Sequence, residues 1–194
     1  MNRRALVLFA HPNLSKSRAN RALLDVMRTL EHVTVHDLYD CYPHFVIDTE
    51  REKRLLVEHD VIVFQHPIYW YSTPAILKEW QDQVLQHGWA YGEGGTALRG
   101  KDFVSLVTCG GSPEAYSATG LHGITLPELL RPLDATAKLC GLRRHSPIIL
   151  YSAPSLADAQ LRAAAHACVR QLETIIHANS DAPALKEQGE RDGT

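Results

Sequence analysis

Short apolar runs alternate with longer amphipathic stretches along most of the chain. Residues 5–10 form an almost purely apolar run, which is typical of a parallel strand covered on both faces. Residues 61–65 and 103–108 repeat this pattern, whereas residues 33–38 alternate apolar and polar positions, as a strand nearer an edge would. With residues 147–151, the pattern predicts five strands.

Amphipathic segments separate these strands. Their apolar residues recur at three- and four-residue spacing, which indicates helices. The predicted helices cover residues 18–30, 49–58, 75–87, 127–139 and 156–177. We expect an irregular aromatic loop at 39–49 and a long loop at 88–101, where five glycines occur.

Regular alternation of strand and helix predicts one parallel sheet with helices on both faces. Five strands suit the order 2-1-3-4-5, in which strands 1 and 3 are neighbours whose connections leave in opposite directions. Ligands bind outside the carboxyl ends of the strands at such a point, so the loops 11–20, 66–72 and 109–122 should meet there. We expect a single domain over 1–178 and a polar, disordered tail at 179–194.

Composition and charge exclude several classes of protein. The 194 residues carry a net charge of −2, so no broad positive field is present to attract nucleic acid. No apolar run is long enough to suggest a membrane span. The four cysteines are scattered and form no CxxC pair, so we expect a reducing, cytoplasmic setting.

The loop 11–20 lies between the first strand and the first helix and is a candidate phosphate site. Free backbone N–H groups and the helix dipole attract anions at such a helix start. Ser17 could donate its hydroxyl and Arg18 could supply charge; alternatively, Ser17 only caps the helix. The chain has neither GxGxxG nor GxxxxGKS at this loop, which argues against a dinucleotide-binding Rossmann motif and a P-loop.

The loop 66–74 contains three consecutive aromatic residues, Tyr69, Trp70 and Tyr71. Aromatic rings in a loop at the predicted ligand site suit a planar heterocycle. Core packing or a dimer contact would also explain them.

The loop 108–122 contains Gly110 and Gly111, whose backbone can approach a ligand closely. Their N–H groups could stabilise negative charge on a ring system. Tyr116 and His122 on the same loop could relay protons, although an isolated histidine is more often structural.

Metal binding is a further alternative for the histidines His11, His66 and His122, which could converge. No carboxylate or thiolate stands at ligand spacing with them, and HExxH and HxH are absent. We therefore expect no metal.

At these loops the chain resembles the flavodoxin-like NAD(P)H:quinone reductases, and most of all the ancillary subunits of bacterial glutathione-regulated potassium-efflux (Kef) systems. The segments that carry the resemblance are AHP at 10–12, SRAN at 17–20, FQHP at 64–67, WY at 70–71, LKEW at 77–80, GWAY at 88–91 and TCGG at 108–111. The chain departs from the family at Cys109, where threonine is commoner, and Glu93 stands near where the larger reductases have a second tyrosine.

The resemblance implies roles for particular residues. His11, Ser17, Arg18 and Asn20 would hold the flavin phosphate and ribityl chain; Ile68, Tyr69, Trp70 and Tyr71 would frame the isoalloxazine ring; and Thr108, Cys109, Gly110 and Gly111 would line its N1/O2 edge. Tyr116 and His122 match the family's catalytic pair, and Tyr91 matches a tyrosine that enters the partner subunit's active site.

The resemblance therefore implies a flavodoxin-like fold and a flavoenzyme, with FMN favoured over FAD, that passes hydride from NAD(P)H to a quinone by a ping-pong route. We also expect a homodimer, because a shallow crevice lined with aromatic rings needs cover. The alternative is a regulatory ancillary subunit, peripheral at the inner face of the cell membrane, whose partner is a potassium-efflux membrane protein. A one-electron flavodoxin carrier is a weaker alternative, since such carriers are strongly acidic.

Overall fold

The computed structural model describes residues 3–178, and these contain one parallel six-stranded sheet. The strands are β1 Ala5–Phe9, β2 Val33–Asp37, β3 Val61–Pro67, β4 Asp102–Thr108, β5 Arg143–Arg144 and β6 Ile148–Leu150. Their order is β2-β1-β3-β4-β5, with β6 also paired to β4, so the predicted flavodoxin-like order is confirmed. The tail predicted at 179–194 lies outside the described residues.

The predicted fifth strand is divided into two short segments. Asp102 pairs with Arg143 in β5, but Leu106 pairs with Ile148 in β6. Between these two paired positions, the chain from β5 to β6 has one residue more than β4. An extra residue of this kind is a bulge, which interrupts pairing and bends the strand. The sequence pattern located only the part after Pro147.

Residues 3–178 contain seven α-helices, six of them between strands and the last one after β6. They are α1 Arg18–Met27, α2 Leu38–Cys41, α3 Thr49–Glu58, α4 Ala75–Val84, α5 Leu126–Leu129, α6 Arg131–Leu139 and α7 Asp158–His177, and short 3-10 turns occur at Leu14–Lys16 and Ala153–Ser155. The helix predicted over 127–139 is two helices, α5 and α6. Pro132, which has no N–H to donate to the preceding turn, stands where α6 begins.

The segment predicted as an irregular loop at 39–49 is more ordered than expected. It begins with α2, whose first N–H groups bond to the carboxylate of Asp37. The fully buried Glu52 of α3 accepts hydrogen bonds from His36 (2.8 Å), Tyr42 (2.5 Å) and Trp80 (2.8 Å). Burial opposes ionisation of Glu52, but these donors outweigh it and lower the pKa. Glu52 thus joins β2, the segment after α2, and α4.

Two apolar layers enclose the sheet. The side chains of Val7, Val63 and Leu106 pack with α1 and α7, and those of Leu8, Phe64 and Phe103 pack with α3, α4 and α6. The carboxyl ends of the strands therefore remain open to their loops. None of the helices within residues 3–178 has the length and apolar character needed to cross a bilayer.

Candidate flavin site

A cavity of about 470 Å³ opens where β1, β3 and β4 end. Nine of the predicted site residues line it: His11, Ser17, Arg18, Asn20, Ile68, Tyr69, Thr108, Cys109 and Gly110. Six further residues line the cavity and were not predicted as site residues: Asn13, Lys16, Ala19, Pro67, Ala153 and Pro154. Ala153 and Pro154 follow β6, and the loop after the fifth strand was a detectable signal because it leaves the sheet at the same edge.

The start of α1 forms one end of this cavity. Ser17 caps the helix by accepting a hydrogen bond from the N–H of Asn20 at 3.3 Å, as the capping alternative predicted. The N–H groups of Arg18 and Ala19 have no acceptor within residues 3–178. Lys16, on the same wall, has no ion pair among those residues. Free N–H groups beside a cation make this end suited to an anion.

The guanidinium of Arg18 has partners outside the cavity. It donates to the Leu156 carbonyl at 3.0 Å and to the Asp158 carboxylate at 2.5 Å, at the start of α7. Asp158 offsets part of the charge of Arg18. The contact also joins the start of α1 to the start of α7. Lys16 is the cation that sequence analysis overlooked.

Asn20 is buried and links the first and third loops. Its amide nitrogen donates to Ser17 Oγ at 3.0 Å and to Thr108 Oγ1 at 3.1 Å, and its oxygen accepts from Gln65 at 3.4 Å. Each polar atom of the side chain therefore has a protein partner. This arrangement positions the loops of the cavity and leaves Asn20 less free for the ribityl contact that the resemblance implies.

His11 forms the wall between the first and second loops. Its Nδ1 accepts from the N–H of Asn13 at 3.0 Å, which places the proton of the neutral ring on Nε2, 3.1 Å from the Tyr69 hydroxyl. Burial lowers the pKa of His11, so the ring is neutral near pH 7. His11 thereby orients Tyr69 toward the cavity.

The aromatic loop makes a tight turn with an unusual backbone. Tyr69 and Ser72 exchange two N–H···O bonds of 3.0 Å, and the central residues Trp70 and Tyr71 have φ of 47° and 64°. Two positive φ values in a two-residue turn favour Asn-Gly, and other residues cost about 1–3 kcal/mol each. Trp70 is also 93% exposed. Strain and exposure at one place are typical of a binding loop.

Two carbonyl groups of the third loop are hydrogen-bonded to the segment that follows β6. The carbonyls of Cys109 and Gly111 accept from the N–H groups of Ala153 and Ser152, both at 3.0 Å. The N–H groups of Gly110 and Gly111 have no acceptor within residues 3–178. They form a second set of free donors, opposite the start of α1.

Cys109 is buried beside these donors. Its thiol lies 3.4 Å from the Gly111 carbonyl, to which it donates, and burial raises its pKa to about 11. The group is therefore a neutral thiol that reinforces the loop.

Tyr116 and His122 are brought together. Their rings stack with centroids 4.1 Å apart, and a Cβ on Gly111 would meet both rings, so only glycine leaves them room. The Tyr71 hydroxyl lies 3.3 Å from Nδ1 of His122. Burial, with smaller contributions from Cys109 and Tyr71, raises the pKa of Tyr116 and keeps the phenol protonated at neutral pH.

Tyr91 is separate from the cavity within one chain. It lies in the connection from α4 to β4 and contacts the ring of His87, with centroids 5.6 Å apart. Because α4 runs antiparallel to the strands, this connection begins toward the opposite end of the sheet. Tyr91 packs against the core of its own chain, and its contact with a partner subunit stays a prediction.

The three histidines weighed as metal ligands do not form a cluster of potential ligands within residues 3–178. His11 bonds to Tyr69 and His122 to Tyr71. His66 is wholly buried at the end of β3, and burial lowers its pKa to about 4. These loops therefore do not assemble a metal site from the three.

Comparisons with known proteins agree with this geometry. The model of the flavodoxin-like fold family matches residues 3–172. An uncharacterized NAD(P)H oxidoreductase, YrkL, of Bacillus subtilis is 48% identical over 72% of this chain and 80% of its own. The ancillary protein KefG of the glutathione-regulated potassium-efflux system of Yersinia enterocolitica is 50% identical over 76% of this chain and 80% of its own.

Solved structures give a similar result. The general stress protein 14 of Treponema denticola, in complex with FMN, is 36% identical with a TM-score of 0.85, covering 89% of this chain and 99% of that one. An NADPH-quinone reductase of P. pentosaceus is 28% identical with a TM-score of 0.79 over 87% and 96%. A protein described as a thermophilic tryptophan halogenase from Streptomycin violaceusniger is 44% identical with a TM-score of 0.84 over 86% and 97%. Because the activities named differ, the shared fold alone does not determine the reaction.

Proposed function

The chain belongs to the flavodoxin-like fold family, and we propose that it is a flavin-dependent NAD(P)H:quinone oxidoreductase whose flavin is FMN. The observation that carries the proposal is a pair of free donor sets at one cavity: the N–H groups of Arg18 and Ala19 at the start of α1, and the N–H group of Gly110, which lines the cavity, with that of the adjacent Gly111. The first set suits a phosphate and the second suits the electron-rich edge of a reduced ring.

The residues of the cavity fit a flavin mononucleotide. Ser17, Lys16 and the N–H groups of Arg18 and Ala19 would hold the phosphate. Ile68, Tyr69 and Thr108 would line the ring, with the strained Trp70 and Tyr71 adjacent to its exposed side. FMN is preferred to FAD because a relative of 36% identity is described in complex with FMN.

When bound, the flavin would supply two-electron transfer between a nicotinamide and a quinone. The protein's part is to bind, orient and protonate. Gly110 and Gly111 would stabilise negative charge. Tyr116, which holds its proton at neutral pH, and His122 would donate protons to the quinone oxygens.

The choice of nicotinamide and quinone as substrates has independent support. YrkL is named an NAD(P)H oxidoreductase and the P. pentosaceus protein an NADPH-quinone reductase. The exposed aromatic rings of Trp70 and Tyr71, in the loop after β3, suit flat substrates.

The test is to purify the protein, release any cofactor by denaturation and identify it by chromatography. We expect about one FMN per chain and oxidation of NADH or NADPH that depends on added quinone. A colourless protein that also fails to bind added FMN or FAD would overturn the proposal. A yellow protein that oxidises neither nicotinamide would retain the flavin but exclude the reductase.

A second candidate is a regulatory ancillary subunit, because KefG proteins are 46–50% identical to the chain. Its partner would be a potassium-efflux membrane protein, and the chain would act peripherally at the inner face of the membrane. Potassium efflux should then be measured in cells that contain the efflux protein, with and without this chain. Regulation that survives loss of Tyr116 and His122 would favour this role over catalysis.

We further propose that residues 1–178 act as one domain and that the protein works in the cytoplasm as a homodimer. The dimer is proposed because large apolar side chains are exposed next to the cavity. The family resemblance adds Tyr91, which packs against the core of its own chain and does not line that chain's cavity.

A further inference from the structure

Three potential metal ligands meet far from the cavity. One ligand atom each of His32, Glu173 and His177 lies within 4.8 Å of the other two. Glu173 and His177 are one turn apart on α7, and His32 lies just before β2. The two imidazole rings are 5.0 Å apart between centroids.

An unpartnered atom at the same place supports a ligand. The Nε2 atom of His32 is buried and has no hydrogen-bond partner within residues 3–178. Buried polar atoms in proteins are nearly always satisfied, and a bound ion can satisfy an imidazole nitrogen that has no protein partner. The side chains of Glu173 and His177 make no hydrogen bond or ion pair that would occupy them within the same described range.

The set of donors suits zinc. Two imidazole nitrogens and one carboxylate oxygen form a known three-ligand zinc set, in which a fourth position is open to water. Because these atoms are at most 4.8 Å apart, an ion bound at about 2.0–2.2 Å from each of them needs at most small side-chain rotations. His177 is exposed and Glu173 partly exposed, which gives an ion access.

The location of the three ligands, at the end of α7, indicates that a bound ion would stabilise the fold. α7 begins beside the cavity at Asp158 and runs 20 residues to His177, about 30 Å away. Near its end Arg3 donates to the carbonyls of Ile175, Ile176 and Ala178, and its charge is balanced by Asp102. An ion would therefore fasten the end of α7 to the segment between α1 and β2.

We propose that His32, Glu173 and His177 bind one Zn²⁺ ion that stabilises the fold at the end of the sheet opposite the cavity. The sequence-based expectation of no metal concerned the histidines of the cavity loops. This site was not found because His32 is distant in sequence and Glu173 and His177 give only a four-residue spacing.

The experiment uses the full-length holoprotein with any affinity tag removed. After incubation with Zn²⁺ and gel filtration, we expect about one Zn²⁺ per chain and a rise of about 5 °C in the unfolding midpoint when zinc is present at 100 times its dissociation constant. His177→Ala and Glu173→Ala should each weaken binding about tenfold or more. His166→Ala, an exposed histidine on the same helix, is the matched control and should bind as the wild type does.

A second measurement does not depend on stability. Co²⁺ in place of Zn²⁺ should give the intense visible bands of a low-coordinate site, at wavelengths beyond the flavin absorption, and His177→Ala should lose them. Absence of stoichiometric zinc, or binding that His177→Ala and His166→Ala reduce equally, would overturn the proposal. Flavin content should be the same in all variants, so this result is independent of the proposed enzyme activity.

Discussion

At the scale of single residues, Trp70 and Tyr71 adopt backbone conformations that their residue types disfavour. Both adopt positive φ although neither is glycine or asparagine, and most of Trp70 is in solvent. Replacing them together by Asn and Gly should relieve the strain and raise the free energy of unfolding of the flavin-free protein by about 1–3 kcal/mol. The same change should weaken flavin binding. Urea unfolding and fluorescence titration measure the two effects.

Trp70→Ala is the control for this turn, because it removes the ring and keeps the strained backbone. It should leave the flavin-free protein no more stable than the wild type. If the Asn-Gly turn proved no more stable than Trp70→Ala, the turn would not store strain.

Tyr116 and His122 allow a second prediction at this scale. Tyr116→Phe and His122→Ala should each lower quinone turnover about 10²–10⁴-fold while the flavin stays bound, because each removes a proton donor. Stopped-flow kinetics can separate the step with quinone from the step with nicotinamide, and only the former should slow. Full activity in His122→Ala would mean that its stacking on Tyr116 is structural.

At the scale of elements, Asp102 joins the chain start to two strands. Its carboxylate accepts from Arg3, Arg143 and His145, and it is almost fully buried at the start of β4. Burial alone would raise its pKa, but these donors outweigh burial and lower the pKa to about 2. Asp102→Asn should cost about 2–4 kcal/mol at pH 7, since it leaves buried charges without a partner.

The pH dependence of that cost follows from the lowered pKa. The stabilisation is complete above the unfolded value of 3.8 and is lost as the pH falls toward 2, so the two proteins should converge in that range. Urea unfolding at pH 7 and pH 3 measures it. Asp82→Asn, which removes an exposed ion pair with Lys78, is the control and should cost under about 1 kcal/mol. An equal loss in both variants would contradict the role of Asp102.

Elements were predictable where local signals were strong. The helix over 49–58 was predicted with its observed bounds, and in the structure Asp48 caps its start. The break between α5 and α6 and the bulge between β5 and β6 were missed. The first depends on Pro132 within a continuous apolar pattern, and the second on pairing with β4, which no local pattern contains.

At the scale of the whole molecule, strand order located the cavity before any side chain was placed. The loops 11–20, 66–72 and 109–122 that the order brings together do contribute to its lining. Most of the nine individual lining residues were named through the family resemblance and not through the strand order. The partners of those residues were not predictable. Arg18 meets Asp158, 140 positions later, and Asn20 meets Thr108, 88 positions later, so only the folded chain reveals that they are occupied.

At the rim of the cavity, exposed apolar side chains indicate that the protein assembles with another molecule. Tyr69, Trp70, Tyr71 and Leu121 are exposed around the cavity, and such apolar patches on soluble proteins usually mark an interaction site. Two-fold dimers are the commonest assembly, and tyrosine and tryptophan are enriched at interfaces. A second copy would cover this rim. The family resemblance separately implies that its Tyr91 enters the site, although Tyr91 lies away from the cavity of its own chain.

Sedimentation of the flavin-loaded protein at micromolar concentration should therefore give a dimer. Leu121→Asp should increase the monomer fraction, because it places a charge in the covered rim. Leu139→Asp, at an exposed apolar residue at the far end of α6, should not. In Leu121→Asp, quinone turnover should fall in proportion to the loss of dimer. In Tyr91→Ala, turnover should fall although the protein still sediments as a dimer. A monomer with full quinone reductase activity would show that one chain completes the pocket, and Tyr91 would then have no part in it.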